Sequence, residues 1–378
     1  EFTVYYEQLM PMLLEVVSKP DTDPSVAQLR GKAFECISLL GYSVGKEHFA
    51  PAAQLTMKAI LAVPSATDVQ SDCIRDAMER MCKVLGSDFG PFLPALLPGI
   101  LASLSIESMV SMGSVDGDDE DDEDTITVPT DDGVMKVKTG QIEETLAIVT
   151  LLCVFVKETG PSFLEYVKPT AQALARILAC ADSVLHLASD VRDAVYPCWA
   201  ELVAAVSRVV PSHGNEAQSL VVELVQQFVD KVGADIAKAE DPDDIAPMAQ
   251  GVASVVANAG AGCLQPAQVK GICDLAISEI LKSFQREKTI KDSIDPAQQG
   301  VFDFNPPRRH DADEDDEEAG GEDGIDGEED DESACRIGLA AICGACMKVS
   351  PEVFVSHSWP PLQGLIREWL GGQGGEGR

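Results

Sequence analysis

The sequence predicts an all-α protein built from successive antiparallel helix pairs, and three observations support this fold class. One unit recurs along the chain: an apolar helix that opens near an aromatic residue, a short polar turn, and a second, amphipathic helix. Apolar residues follow helical spacing inside these segments, as at Leu29, Ala33, Cys36 and Leu40. Aromatic residues make up only 5% of the chain. This composition favours helix-on-helix packing over a β-sandwich.

The spacing of the units predicts how they stack. First helices start near positions 5, 49, 89, 163, 214, 265 and 354, and the gaps without acidic inserts run from 40 to 51 residues. A two-helix repeat of about 40–47 residues is typical of HEAT and armadillo proteins. Because one such unit cannot bury its apolar face alone, neighbours stack into a superhelical HEAT-repeat α-solenoid with a long surface for partners. We therefore expect a binding scaffold across residues 1–378.

Each element follows in chain order. We predict six helix pairs: 5–17 with 26–44, 49–63 with 68–85, 89–104 with 139–159, 163–180 with 187–208, 214–232 with 243–260, and 265–287 with 333–348. A single first helix, 354–370, follows them. The chain begins without Met and ends on a first helix, so we expect a fragment of a longer protein.

Two acidic inserts separate the helices of their pairs, at 106–138 and 289–332. Asp116–Asp124 holds eight acids in nine residues, and Asp311–Glu332 holds fifteen in twenty-two. In the first insert, alternation around Asp131-Asp132-Gly133 predicts a β-hairpin at Ile126–Val137, and we expect no other sheet. We expect the second insert to be disordered in isolation.

The charge distribution limits the classes of partner. The net charge is −35, and the two acid runs carry 23 of these charges, which leaves −12 for the helical body. This balance disfavours direct nucleic-acid binding and favours a basic protein partner. The acid runs are either solvated loops or partner-binding segments. In the second case, the candidate residues are Asp118, Asp119, Glu120, Asp121, Asp122, Glu123, Asp315, Asp316, Glu317 and Glu318.

Two sequence patterns resemble chemical motifs only superficially. Gly41-Tyr-Ser-Val-Gly45-Lys46-Glu47 lacks the spacing and the preceding strand of a phosphate loop, so we interpret it as a helix end capped by Gly45. Cys343-Gly-Ala-Cys346 has no second CxxC or His pair to complete a zinc site. We interpret these residues as small core residues.

Nothing else in the sequence points to catalysis or to the membrane. The five histidines are dispersed, and the cysteines lie mainly on apolar helix faces, as expected of reduced thiols. We predict no catalytic, cofactor or metal site and no enzyme activity. No uninterrupted apolar run reaches the roughly 18 residues of a membrane span, and no segment reads as a signal peptide.

Several segments resemble one protein family. The stretch from Leu29 to Phe49, LRGKAFECISLLGYSVGKEHF, resembles the importin-5 (karyopherin beta-three) branch of the importin-beta superfamily. Glu79–Gly86 and Phe2–Tyr6 are similar to the same branch, as are the positions of the two acidic inserts. The chain would correspond to central-to-later repeats of a longer receptor.

This resemblance implies a monomeric nuclear import receptor that shuttles between cytoplasm and nucleus. In the family, second helices line a concave face that holds basic nuclear-localisation signals, and first helices offer apolar clefts to Phe-Gly nucleoporins. Ran-GTP displaces the cargo, which includes ribosomal proteins and histones, and an acidic loop contacts Ran. Carried onto this chain, the cargo-binding candidates are acids on predicted second helices: Glu35, Asp72, Asp76, Glu79, Glu143 and Glu144.

Two other function classes remain open at this point. One is a HEAT-repeat scaffold or adaptor of another kind, which would bind neither Ran-GTP nor Phe-Gly peptides. The other is an acidic chaperone for histones or ribosomal proteins, which would lose its activity when the acid runs are deleted. For the candidate acids, the competing interpretation is that they only solubilise exposed helix faces.

Overall fold

The computed structural model describes residues 3–19, 24–63, 68–104, 110–113, 125–130, 133–179, 189–293 and 323–372. These residues fall into two compact units, Glu1–Val221 and Val222–Arg378. Helices dominate both units, and one small sheet lies in the first. Among the described residues of the first unit, eight helices begin: α1 Thr3–Ser18, α2 Pro24–Val44, α3 Lys46–Leu61, α4 Asp68–Leu85, α5 Leu93–Ser103, α6 Thr139–Thr159, α7 Val167–Leu178 and α8 Ser189–Ile236.

The second unit contains the end of α8 and the remaining helices. These are α9 Pro242–Ala259, α10 Pro266–Ser293, α11 Asp323–Val349, α12 Pro351–Val353 and α13 Trp359–Gly372. A π-helical turn, Phe354–Ser358, joins α12 to α13. Short 3-10 turns, Gly86–Phe92 and Gly160–Tyr166, precede α5 and α7.

Side-chain contacts show how the helices of a pair run. At one end of α10, Arg286 meets Glu332 of α11, and at the other end Cys273 meets Cys343 and Cys346. Residues late in α10 thus contact residues early in α11, so the two helices are antiparallel. In this arrangement each helix buries its apolar stripe against its partner.

Second helices of successive units lie side by side and parallel. Gly31 of α2 approaches Gln70 of α4. Further toward the C-terminal ends of the same two helices, Ser38 contacts Arg80. The sequence separation between contacting residues stays near 40 along both helices, which is the length of the repeat. Gly31 allows this approach, because a Cβ there would lie 3.2 Å from the Cβ of Gln70.

The cores consist of large side chains donated by each helix. In the first unit Phe34, Phe49, Phe89, Phe155 and Trp199 are fully buried. The ring centroids of Phe89 and Phe155 lie 5.1 Å apart, which joins the start of one first helix to its second helix. In the second unit the core side chains include Phe228, Ile245, Val252, Val269 and Leu339.

The structure corrects the predicted sheet. The hairpin is present as β2, Thr125–Thr130, paired with β3, Gly133–Lys138. A further strand, β1 Val110–Gly113, pairs with the other edge of β3, so the order is β1-β3-β2 and the expectation of no sheet beyond the hairpin is wrong. The free backbone groups of an exposed strand edge explain this pairing, since another short segment of the same insert can satisfy them.

The structure also changes helix bounds at two places. The predicted helices 187–208 and 214–232 form one run, α8, broken at Gly214, where φ of 62° and ψ of −139° interrupt the helix. Glycine adopts this positive φ without a steric penalty. The second insert was expected to be disordered over 289–332, but α10 continues to Ser293 and α11 begins at Asp323.

Among the described residues, two helical stretches, Gln70–Ser103 and Thr139–Leu178, are long and apolar enough to cross a membrane by length and composition. Each of them includes a 3-10 turn between two helices, and both contribute fully buried side chains, such as Leu97 and Leu152, to the core of the first unit. Core packing accounts for their apolar composition.

Candidate functional site

The candidate acids lie on three second helices that contact one another: α2, α4 and α6. The thiol of Cys73 on α4 lies 4.0 Å from Oε2 of Glu35 on α2. The guanidinium of Arg75 on α4 lies 3.9 Å from Oε1 of Glu144 on α6. These contacts bring α2, α4 and α6 side by side, and we name the surface formed by their candidate acids the second-helix surface. It carries Glu35, Asp72, Asp76, Glu79, Glu143 and Glu144.

Four of these acids already have a cation on their own helix. Lys32 Nζ lies 2.9 Å from Glu35, and Lys83 Nζ lies 2.5 Å from Glu79. Arg75 pairs with Asp72, and Arg80 Nη2 lies 2.9 Å from Asp76. The surface therefore carries both acidic and basic side chains on α2 and α4, and it is not uniformly acidic.

The other two acids lie on α6. Glu144 accepts a hydrogen bond from the side-chain amide of Gln141 at 3.0 Å, in addition to its contact with Arg75. Glu143 is exposed, and within the described ranges no cation lies within ion-pairing distance of it. The end of the surface at α6 thus carries the least compensated negative charge.

The sequence carries a local signal for these cations. Each cation stands three or four residues from its acid, which is the spacing at which side chains meet on a helix. A search for opposite charges at that spacing on the predicted second helices would have found Lys32, Arg75, Arg80 and Lys83.

The two lysine pairs shift the pKa values of Lys32, Glu35 and Lys83. The hydrogen bond from Lys32 lowers the pKa of Glu35, and the same bond raises the pKa of Lys32. The hydrogen bond to Glu79 raises the pKa of Lys83. Both lysines therefore stay charged at neutral pH, and Glu35 stays ionised beside Lys32.

The candidate residues of the two acid runs, Asp118 to Glu123 and Asp315 to Glu318, lie outside the described residues. The end of the second run is described. Glu332 is 2% exposed and accepts hydrogen bonds from Nε and Nη2 of Arg286 at 2.5 and 3.1 Å. This residue of the predicted disordered insert is a buried part of the second unit, because its charge is compensated there.

A cleft of about 1060 Å³ lies beside this ion pair, and its lining includes Lys282 and Arg286 together with several acids. Burial, and next the neighbouring carboxyl of Asp331, raise the pKa of Asp243 in its wall. Asp241 caps the start of α9 by accepting a hydrogen bond from the backbone N–H of Asp243 at 3.1 Å. The residues that line the cleft thus include the members of the Arg286–Glu332 ion pair and the cap of α9.

Cys343 and Cys346 are buried, as expected of small core residues. Their thiols donate hydrogen bonds to Cys273 of α10, which lower the pKa of Cys273 to about 4. The hydrogen bonds to Cys273, and next burial, raise the pKa of both partners. In the part of the chain that the structure describes, no group of three or more His, Cys, Asp or Glu residues is arranged to hold a metal ion.

The phosphate-loop-like segment is the junction of α2 and α3. Gly45 has φ of 79°, and its N–H donates to the carbonyl of Gly41 at 3.0 Å. The interpretation of Gly45 as a helix end is confirmed.

Comparisons with known proteins agree with this architecture. No protein-family model matches the chain. The chain is 27% identical over 229 residues to importin subunit beta-3 of Saccharomyces cerevisiae, which covers 59% of this chain and 20% of that protein. It is 30% identical over 117 residues to a probable importin-5 homolog of Dictyostelium discoideum, which covers 30% of this chain and 11% of that protein. The chain thus spans about a fifth or less of the length of these relatives.

A crystal structure of the karyopherin Kap121p bound to the extreme C-terminus of the protein phosphatase Cdc14p has a similar fold. It matches 97% of this chain and 32% of that chain, with a TM-score of 0.71 and 20% identity. Other crystal structures show Kap121p bound to Pho4p and to RanGTP. The predicted fold class, a HEAT-repeat α-solenoid, is confirmed. Together, these comparisons show that the chain is similar in sequence to two importins of the importin-5 branch and shares the fold of the karyopherin Kap121p.

Proposed function

We propose that this chain is part of a nuclear import receptor and that its second-helix surface binds basic segments of cargo proteins. The observation that carries the proposal is the contact of α2, α4 and α6, which brings the candidate acids from three helices onto one surface. An extended segment with several lysines can then meet one carboxylate after another. Weak pairs add in this way through avidity, although each exposed pair contributes little alone.

The comparisons support the remaining parts of this proposal. Kap121p, whose fold this chain shares, has been crystallised with protein ligands and with RanGTP. We propose that Ran-GTP releases cargo from this receptor too, that Phe-Gly nucleoporins bind it, and that it shuttles between cytoplasm and nucleus. Its activity would be binding without catalysis.

Charge reversal tests the cargo surface. We expect Glu35→Lys with Glu79→Lys to weaken binding of a lysine- and glycine-only peptide at least tenfold. Attraction becomes repulsion at two positions, and tenfold corresponds to about 1.4 kcal/mol. Calorimetry measures the affinity, and circular dichroism checks that the helices persist.

The matched control is Glu15→Lys with Glu352→Lys, which changes the net charge equally on exposed acids outside the second-helix surface. We expect it to retain most of the affinity. Equal losses of affinity in both variants would show that binding depends on overall charge, as expected of an acidic chaperone. A pull-down of the full-length protein with Ran-GTP and Ran-GDP tests the receptor class, since a scaffold of another kind would retain neither.

A further inference from the structure

The cations of the second-helix surface meet their acids in two different ways. Lys32 is 65% exposed above Glu35 at 28%, and Lys83 is 42% exposed above Glu79 at 30%. In these two pairs the cation is the more exposed partner and lies at ion-pairing distance from the carboxylate. An incoming cation therefore finds the position beside each carboxylate already occupied by a lysine ammonium.

The arginines show the reverse arrangement. Arg75 is 20% exposed beside Asp72 at 79%, and Arg80 is 27% exposed beside Asp76 at 52%. Arg75 also approaches Glu144 of α6, and Arg80 donates to the hydroxyl of Ser38 on α2 at 3.5 Å. The two guanidinium groups link α4 to its neighbours, and the more exposed Asp72 and Asp76 stay open to a partner.

We propose that Lys32 and Lys83 are internal competitors for the partner's cations, and that a lysine-rich segment binds by displacing them from Glu35 and Glu79. This inference rests on the proposed function and specifies how the surface selects its ligand. Displacement exchanges one exposed ion pair for another, so a lone surface lysine of a bystander protein gains almost nothing. A segment with several closely spaced cations gains at Asp72 and Asp76 as well, and this linkage makes displacement favourable.

The geometry makes displacement easy. Both lysines pair with acids three or four residues away on the same helix, a contact that stabilises a helix only weakly. The side chains of Lys32 and Lys83 are already 65% and 42% exposed, so leaving the carboxylate requires little new hydration. The lysine stems have enough rotamers to move aside without a backbone change.

The test compares three double variants of the full chain by calorimetry with the lysine- and glycine-only peptide, at low and at high salt. We expect Lys32→Gln with Lys83→Gln to tighten binding about fivefold at low salt, because two competing pairs are removed. Glutamine keeps a similar helix propensity, so the fold should persist. The gain should shrink at high salt.

Two matched variants separate displacement from a change in overall field. Lys19→Gln with Lys231→Gln removes two equivalent helical ion pairs elsewhere, with Glu15 and Asp235, and should leave the affinity unchanged. Arg75→Gln with Arg80→Gln removes the same charge from the same surface and should give a clearly smaller gain than the lysine variant.

The outcomes distinguish this inference from the proposed function. If the wild type binds the peptide and the lysine variant binds it no tighter than the arginine variant, the displacement inference is wrong. The proposal that the second-helix surface binds cargo is then retained. If no variant binds the peptide at either salt concentration, the proposed function fails and this inference fails with it.

Discussion

At the scale of single residues, the pair of Arg286 and Glu332 shows what a buried charge requires. Both oxygens of Glu332 accept hydrogen bonds from the guanidinium, and the hydroxyl of Ser283 reaches its backbone carbonyl at 3.5 Å. Arg336 continues the network by contacting Glu287 at 2.6 Å. These hydrogen bonds offset the free-energy cost of removing the carboxylate from water. Removal of one partner leaves the other as an uncompensated charge.

We expect Glu332→Gln to lower the free energy of unfolding of the second unit by about 2 kcal/mol. This is below the usual cost of breaking a buried pair, because Arg286 is partly exposed and water can hydrate it. Urea unfolding followed by circular dichroism measures the effect. The control Glu15→Gln breaks an exposed helical pair and should change stability by less than about 0.5 kcal/mol. Equal effects would show that burial of Glu332 contributes nothing.

No feature of the sequence separates Glu332 from the acids before it, since its role depends on a cation 46 positions earlier. The same holds for Cys273, whose contact with the CxxC pair requires the packing of two helices. The acids at Glu35 and Glu79 were accessible to sequence reasoning, because helical period alone places them on second helices. What covers them could be read only from the local spacing of charges.

At the scale of elements, the close contact of α11 with α9 depends on one glycine. A Cβ at Gly338 would lie 2.9 Å from the carbonyl oxygen of Ala246 and 3.1 Å from the Cβ of Ala249. The neighbour is backbone and cannot rotate away, so the helices would have to separate. Gly344, on the same helix, has open space at its Cβ position.

These two glycines give a prediction with an internal control. We expect Gly338→Ala to destabilise the second unit by about 1–3 kcal/mol through overpacking. Gly344→Ala should stabilise it by up to about 1 kcal/mol, since alanine favours the helix and meets no obstacle. Thermal unfolding of both variants measures the difference. Shifts of the same sign would contradict the close approach of α9 and α11.

Helices were predictable because apolar residues at helical spacing recur over many turns. Strand β1 was not, because Val110-Ser-Met-Gly113 is too short to show alternation, and only the free edge of β3 makes it a strand. The extension of α10 to Ser293 was also missed, since Lys288, Lys291 and Asp292 carry a polar composition that a loop shares with an exposed helix end.

At the scale of the whole molecule, a net charge of −35 acts at distances where no contact exists. Such a field steers a basic partner toward the protein and raises its association rate, and salt screens it. Deletion of the second acid run should spare α11, which begins at Asp323. Residues 311–322 are therefore the segment to remove.

We expect the deletion of 311–322 to slow association of the lysine-rich peptide severalfold at low salt, with little change in its dissociation rate. Stopped-flow binding at two ionic strengths measures both rates. A variant of unchanged length, with the acids of 311–322 replaced by Asn and Gln, should slow association equally, because charge is the cause. Unchanged association in both variants would make the segment a passive spacer.

The ion pair between Arg286 and Glu332 has a further consequence for how the segment between α10 and α11 can vary. It fixes the facing ends of α10 and α11 through contacts that do not involve the chain between them. The entropy of closing a loop grows only with the logarithm of its length, so doubling the segment between Ser293 and Asp323 would cost about 0.6 kcal/mol. In related chains that keep this ion pair, the length and sequence of that segment can therefore vary while the pairing of α10 with α11 is unchanged.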